Sequence, residues 1–212
     1  MIAQRNGPDS IDISPPATVA ARPNPVNWRM AAGTGPGHGA AMMIRLFDPA
    51  GDAGLLPGLA AMMVEAVAGG ASISFMAGFS QPESLAWWQA RSDAAAAGSL
   101  MILIASDGAG VAGTVSLVPA TEPNQPHRAD VAKMMVAQRA RRHGVGAALL
   151  AAVEALALAH GRTTLVLDTI SGSAAARLYE RCGWRKVGDI PAYALLPDGA
   201  MAPTTYYCKI LA

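Results

Sequence analysis

Cysteine is scarce. The 212 residues contain two, Cys182 and Cys208, and they form no spaced framework. That excludes a small disulfide-stapled scaffold, and Cys182, beside Gly183, is expected to pack in a core. No group of Cys and His has metal-site spacing, so no metal is expected. An excess of one charge is missing too: the net charge is +1, which gives no reason to expect nucleic acid or an acidic membrane surface as a partner. Long apolar runs are absent, because Glu65 and Glu154 interrupt the two richest stretches. The N-terminus lacks the charged start, apolar centre and cleavage site of a signal peptide. A soluble, cytoplasmic protein is the expectation.

What is present is apolar. Hydrophobic residues make up 52% of the chain, enough for one substantial core with an appendage. Residues 1–41 are rich in Pro, Gly and Ala, show no periodicity, and are expected to be a largely disordered arm. Met42 or Met43 opens the first convincing element and is an alternative start of translation. From there the pattern predicts a strand over 43–47 and an amphipathic helix over 55–67, with Leu55, Leu59, Met62, Met63 and Ala66 on one face. Residues 72–79 read as either loop or short strand. A second helix is predicted over 81–97, with Trp87 and Trp88 in its middle. Strands at 100–106 and 111–118 are joined by Asp107-Gly108-Ala109-Gly110, a hairpin signal. Further strands are predicted at 128–136, 162–169 and 184–190, with helices at 147–160 and 173–182. A last strand, 204–210, is expected to close the sheet. There are no internal repeats. A meander followed by alternating strands and helices makes the class mixed α/β.

The chain is organised around residues 130–160, a strand, a basic glycine loop and a helix. A helix start leaves four backbone N–H groups unpaired and carries positive partial charge, so it favours an anion. Gly144 and Gly146 remove side chains that would keep a ligand off those amides, and Arg141, Arg142 and His143 add charge. The loop reads as a seat for phosphate or pyrophosphate, or as an ordinary surface turn.

Arg141-Arg142-His143-Gly144-Val145-Gly146 resembles the (Arg/Gln)-x-x-Gly-x-(Gly/Ala) loop of the GNAT superfamily of N-acetyltransferases, which holds the pyrophosphate of acetyl-coenzyme A. The block Leu165-Val166-Leu167-Asp168-Thr169, and then Arg177-Leu178-Tyr179-Glu180-Arg181-Cys182-Gly183-Trp184, is similar to that family's next strand and helix. The match through Val187 to Tyr193 and Pro197-Asp198-Gly199 resembles the tabtoxin-resistance type. The likeness spans roughly 43–211 and is strongest over 130–193. It implies a GNAT-type mixed, mostly antiparallel central sheet flanked by helices, and an acetyl-CoA-dependent N-acetyltransferase domain over 42–212. Acetyl-CoA is the implied co-substrate and a small-molecule amine, or a hydroxyl, the acceptor. A detoxifying or resistance activity fits that reading, and the sequence is compatible with a homodimer.

The resemblance also implies site residues. A primary amine attacks a thioester only when neutral, and a free amine with pKa near 10.4 is mostly protonated at neutral pH. A general base, oxyanion donors and an acid for the departing thiolate are therefore useful. Asp130, early on the strand that leads into the loop, is the first base candidate, where relatives commonly carry Glu; a water would relay the proton. Asp168 is the second, with a cap or loop anchor as its alternative role. Tyr179 is the acid candidate. Met134, Met135 and Val136 are expected to offer backbone groups to the acetyl and pantetheine amides, and Arg141 to Ala147 to hold the pyrophosphate. Lys133 reads as a solvated or salt-bridged lysine, with contact to the substrate as its alternative. Phe75 and Trp88 are either packed in the core or in contact with substrate. Many relatives carry Asn where this chain has Gly172; either Ser171 or Ser173 replaces that hydrogen bond, or the bond is absent.

Two other classes compete. Gly144-Val145-Gly146 begins a dinucleotide-binding fingerprint, but Leu149 stands where its third glycine is needed. A non-catalytic acyl-CoA-binding sensor on the same fold is the alternative that the retained Asp130, Asp168 and Tyr179 argue against.

Overall fold

The computed structural model describes residues 28–29 and 42–212. The expected arm, 1–41, lies outside the described residues except for Trp28–Arg29, which form a two-residue strand, β1, paired with Met43 and Ile44. In chain order there follow β2 (Met43–Leu46), α1 (Leu56–Ala68), α2 (Gln81–Ala96), β3 (Met101–Asp107), β4 (Gly110–Pro119), β5 (Arg128–Val136), α3 (Val145–Ala159), β6 (Thr164–Ile170), α4 (Ala174–Arg181), β7 (Arg185–Leu195) and β8 (Met201–Ile210). Residues 72–79 form no strand.

The strands make one sheet in the order β1-β2-β3-β4-β5-β6-β8-β7. All neighbours are antiparallel except β5 and β6. This is the mixed, mostly antiparallel sheet expected. One placement differs: the last strand does not close the sheet at an edge but inserts between β6 and β7, leaving β7 outermost.

Alternation along the strands splits the core into two layers. Leu103, Leu117, Ala129, Val131, Leu165, Leu167 and Tyr207 pack with α3 and α4 on one face. Ile102, Ile104 and Met135 pack with α1 and α2 on the other. The α1 stripe is close to expectation: Leu59, Met62, Met63 and Ala66 are buried, and Leu56 takes the buried place expected of Leu55. On α2 the Trp88 ring is fully buried among the α1 side chains, so its role is core packing. That helix starts on a capping box in which Ser80 and Glu83 bond each other's backbone amides, an arrangement that contributes about 1 kcal/mol. Residues 69–80, between α1 and α2, run over the sheet. There the Ala77 N–H donates to the Pro197 carbonyl in the β7–β8 turn, 2.9 Å away.

Candidate active site

Two strands part in the middle of the sheet. Pairing of β5 with β6 runs only from Arg128↔Thr164 to Asp130↔Val166. Past that point β6 stays on β8 as far as Ile170↔Thr204. β5 stays on β4, with a register shift between Thr114 and Ser116. Opposite the shift, Lys133 takes a φ of 50°. A bulge of this kind adds a residue to one strand and re-aims its side chains. The far part of β5, carrying Met134, Met135 and Val136, therefore presents an edge to a wedge between the two strands. Met134 and Val136 pack toward α3, and Met135 packs toward α1.

The basic loop lies at the end of that edge. Gly144 caps α3 at φ 81°, in the left-handed region where a side chain is disfavoured. The first α3 amide to bond back is that of Ala148, to the Gly144 carbonyl at 3.0 Å. Among the described residues the amides of Arg142, His143, Gly144, Val145, Gly146 and Ala147 have no acceptor ahead of it. They form an anion seat of the kind a pyrophosphate fits. Arg141, Arg142 and His143 are exposed beside it, and Arg141 Nε also donates to the Val136 carbonyl at 3.1 Å. A Cβ on Gly146 would sit 2.8 Å from Leu178 Cδ2 of α4, so its missing side chain also lets α3 and α4 approach.

The serines flanking Gly172 are already engaged. Ser173 caps α4, its Oγ accepting from the Ala176 N–H at 3.1 Å. Ser171 Oγ lies 2.8 Å from Thr205 Oγ1. Ser173 Oγ accepts in its cap, which leaves its own O–H as a donor.

Of the two carboxylates, Asp130 is held by its own strand: Arg128 Nη1 donates to its Oδ1 at 2.7 Å. Asp168 instead lines a cavity of about 260 Å³ with Ser74, Phe75, Tyr193 and Thr204. It is not a cap; its one side-chain hydrogen bond among the described residues is from Thr204 Oγ1 at 3.3 Å. Its charge reaches three neighbours, Lys133, Tyr179 and Tyr206. Tyr179 is buried, its ring 5.8 Å from that of Tyr207 and 6.1 Å from that of Trp184. Burial, then the charge of Asp168, pushes the Tyr179 phenol well above its usual value. It stays protonated and keeps its O–H to donate.

Tyr193 is a lining residue that the sequence did not single out, and Lys133, Trp87 and Tyr206 adjoin the lining residues Ser74, Phe75 and Tyr193. Lys133 is half-buried and has no carboxylate partner among the described residues: its Nζ donates to the Ile73 carbonyl at 2.8 Å and to Ser74 Oγ at 2.9 Å. Trp87, not Trp88, is the α2 indole on this side, edge-on to Phe75 with centroids 5.8 Å apart. Tyr193 and Tyr206 share a hydroxyl contact of 2.7 Å. That bond, with some burial and the nearby carboxylates, pushes the Tyr206 phenol up to about 12. Tyr206 lies directly across the β6–β8 pairing from Asp168. The 204–207 run of Thr and Tyr was the available signal, but nothing local indicates that it lies beside Asp168.

Residues 65–184, more than half of the chain, match the model of the acetyltransferase (GNAT) family. Solved structures share the fold. The yncA protein of Salmonella typhimurium, solved with its cofactor acetyl-CoA, is 21% identical at a TM-score of 0.65, over 81% of this chain and 94% of that one. The ribosomal-protein-alanine N-acetyltransferase of Brucella melitensis is 23% identical at 0.65, over 79% and 99%. The ribosomal-protein-S5-alanine acetyltransferase of Vibrio fischeri is 14% identical at 0.67, over 87% and 96%.

Proposed function

Because this chain belongs to the GNAT acetyltransferase family, we propose that it transfers an acetyl group from acetyl-CoA to the amine of a small molecule by direct attack in the wedge between β5 and β6. One juxtaposition carries this reading. The wedge has a row of free amides at its loop end and opens, at the strand ends, on the cavity that Asp168 lines.

The residues divide the work. The amides of 142–147, with Arg141, Arg142 and His143, would hold the pyrophosphate. The exposed edge of β5 at Met134, Met135 and Val136 would bond the pantetheine and acetyl amides and supply an N–H toward the carbonyl oxygen. Acetyl-CoA, when bound there, supplies an acetyl group already activated as a thioester. Asp168 takes a proton from the incoming amine, directly or through a water, so that the amine attacks neutral. Asp130, tied to Arg128, adds negative charge nearby rather than acting as the base. Tyr179 holds its proton and donates a hydrogen bond to the departing sulfur. A thiolate with pKa near 8.5 is a weaker base than the phenolate, so hydrogen bonding rather than complete transfer is its contribution.

The likeness to the tabtoxin-resistance type over 187–199 supports a detoxifying or resistance role on a small acceptor. The test is release of free thiol from acetyl-CoA across a broad panel of amines, beside a thermal-shift titration with acetyl-CoA. Amine-dependent release supports the reading. A coenzyme-induced shift with no release from any amine refutes it in favour of an acyl-CoA sensor.

A further inference from the structure

Among the described residues four non-glycine residues have positive φ, and three of them gather at one cavity. Ser74 (φ 81°) lines it, Ala192 (φ 52°) precedes the lining residue Tyr193, and Lys133 (φ 50°) bonds the Ser74 hydroxyl. Non-glycine residues keep such conformations where the surroundings hold them, commonly at ligand sites.

Lys133 is the unusual member. It is half-buried, and its two partners, the Ile73 carbonyl and Ser74 Oγ, are both neutral. An ammonium has three N–H donors, so one is left. The other lysines of the chain, Lys186 and Lys209, each pair with a carboxylate. Among the described residues Lys133 does not. Burial, then the charge of Arg91, lowers its pKa, and Asp168 partly opposes them. Arg91 stacks on Trp87 with Cζ 4.8 Å from the ring centroid, and Lys133 Nζ lies 5.8 Å from the same centroid. Arg91 too has no carboxylate partner among the described residues. Two cations thus approach one indole, neither paired with a carboxylate among the described residues, while Asp168 lines the cavity together with Ser74 and Phe75. Desolvated like charges held together favour an anion from outside.

We infer that the acceptor is a small primary amine that also carries an anionic group, a carboxylate or its equivalent, which seats against Lys133 and Arg91 while the amine lies toward Asp168. This rests on the acetyl-transfer reading above and narrows it. A polyamine would meet Lys133 and Arg91 as like charges, and a protein N-terminus brings no adjacent anion. The cavity, about 260 Å³, suits a molecule the size of a free amino acid.

The experiment compares amino acids with their carboxamides, which keep the amine and remove the charge. Binding is measured by calorimetry with CoA present, at about pH 6, where both amines are protonated. Thiol release from acetyl-CoA is measured in parallel. The best acid is expected to bind at least about tenfold tighter than its carboxamide, the scale of one charge-assisted hydrogen bond. That ratio should fall to near one in Lys133→Met and in Arg91→Gln, and persist in Lys133→Arg. Arg91 lies on the half-exposed side of α2, so its variant keeps the test open if the Lys133 variants fold poorly. Equal binding of acids and carboxamides, or a preference that survives both neutral variants, overturns the inference. Selective binding of acids without any thiol release would sink the acetyl-transfer reading and keep this one. Release with neutral amines or polyamines as readily as with acids would do the reverse.

Discussion

Arg128 and Asp130 stand two residues apart on β5 and hold each other, Nη1 to Oδ1, at 2.7 Å. Residues at i and i+2 share a strand face, so the pair needs no distant partner. Gln125 Oε1, 2.5 Å from Arg128 Nε, fixes the guanidinium further. A carboxylate held in this way is poorly placed to collect a proton from an amine.

The first prediction follows from that pair. Asp168→Asn should lower kcat/KM by about a hundredfold to ten-thousandfold, the range of a general base, with the deficit shrinking as pH rises and solvent supplies neutral amine. Asp130→Asn should cost less than about tenfold, because its charge acts at a distance and is partly offset by Arg128. Steady-state pH profiles of both variants decide the matter. A larger loss in Asp130→Asn would return the base to β5.

Tyr179→Phe keeps the ring that packs on Trp184 and Tyr207 and removes only the hydroxyl. The expected effect is a fall in kcat with little change in KM for acetyl-CoA, since the bond to sulfur matters only as the thiolate leaves. The wild-type enzyme should show no alkaline loss of kcat from this phenol up to about pH 10, the ordinary tyrosine value, because the folded value lies above it. An unchanged kcat in the variant would remove Tyr179 from the chemistry.

The two loop glycines should separate. Gly144→Ala forces a side chain into φ 81° at a cost of roughly 1 kcal/mol, and it crowds the free amides, so KM for acetyl-CoA should rise. Gly146→Ala pushes against Leu178 and should lower Tm by a few degrees, with a smaller effect on KM. Thermal melts and coenzyme titrations of both variants test this. Equal KM effects with equal Tm would mean that Gly146 faces the coenzyme after all.

Acid stability should depend on Asp52. Its carboxylate is bonded by Arg45 and by the Asp48 N–H at 2.8 Å, and the Arg45 bond, against the cost of burial, holds it below the usual carboxylate range. A depressed carboxylate contributes stability that is present above its unfolded pKa, about 3.9, and is lost as pH falls through the folded value. Asp52→Asn should therefore cost roughly 1–3 kcal/mol at neutral pH, for a pair that is only partly exposed. The gap from wild type should shrink in acid, below about pH 3.9, as pH falls toward and through the lower folded value and the wild-type charge is lost. Denaturant melts at the two pH values measure it. A gap that stays constant with pH would mean that packing, not charge, is at stake.

Much of this protein is legible locally. The amides of an α3 start, the glycine that permits φ 81° at residue 144, and the buried stripe of α1 all follow from residues within a turn or two of one another. So does the order of strands and helices, because periods of 2 and 3.6 are written along the chain itself. The mixed sheet and the strand–loop–helix unit could therefore be read before any coordinates.

The surroundings of Asp130 and Asp168 could not. Ser74 comes from an aperiodic stretch between α1 and α2, Lys133 from β5, Asp168 from β6, and Tyr193 and Tyr206 from β7 and β8. These segments meet only because β8 enters between β6 and β7 and because the bulge at Lys133 turns its ammonium onto the 73–74 backbone. Strand order and bulges are settled by the packing of the whole sheet. A lysine that alternation would send to solvent can thus end beside two aromatic rings, with no trace of that outcome in its neighbours along the chain.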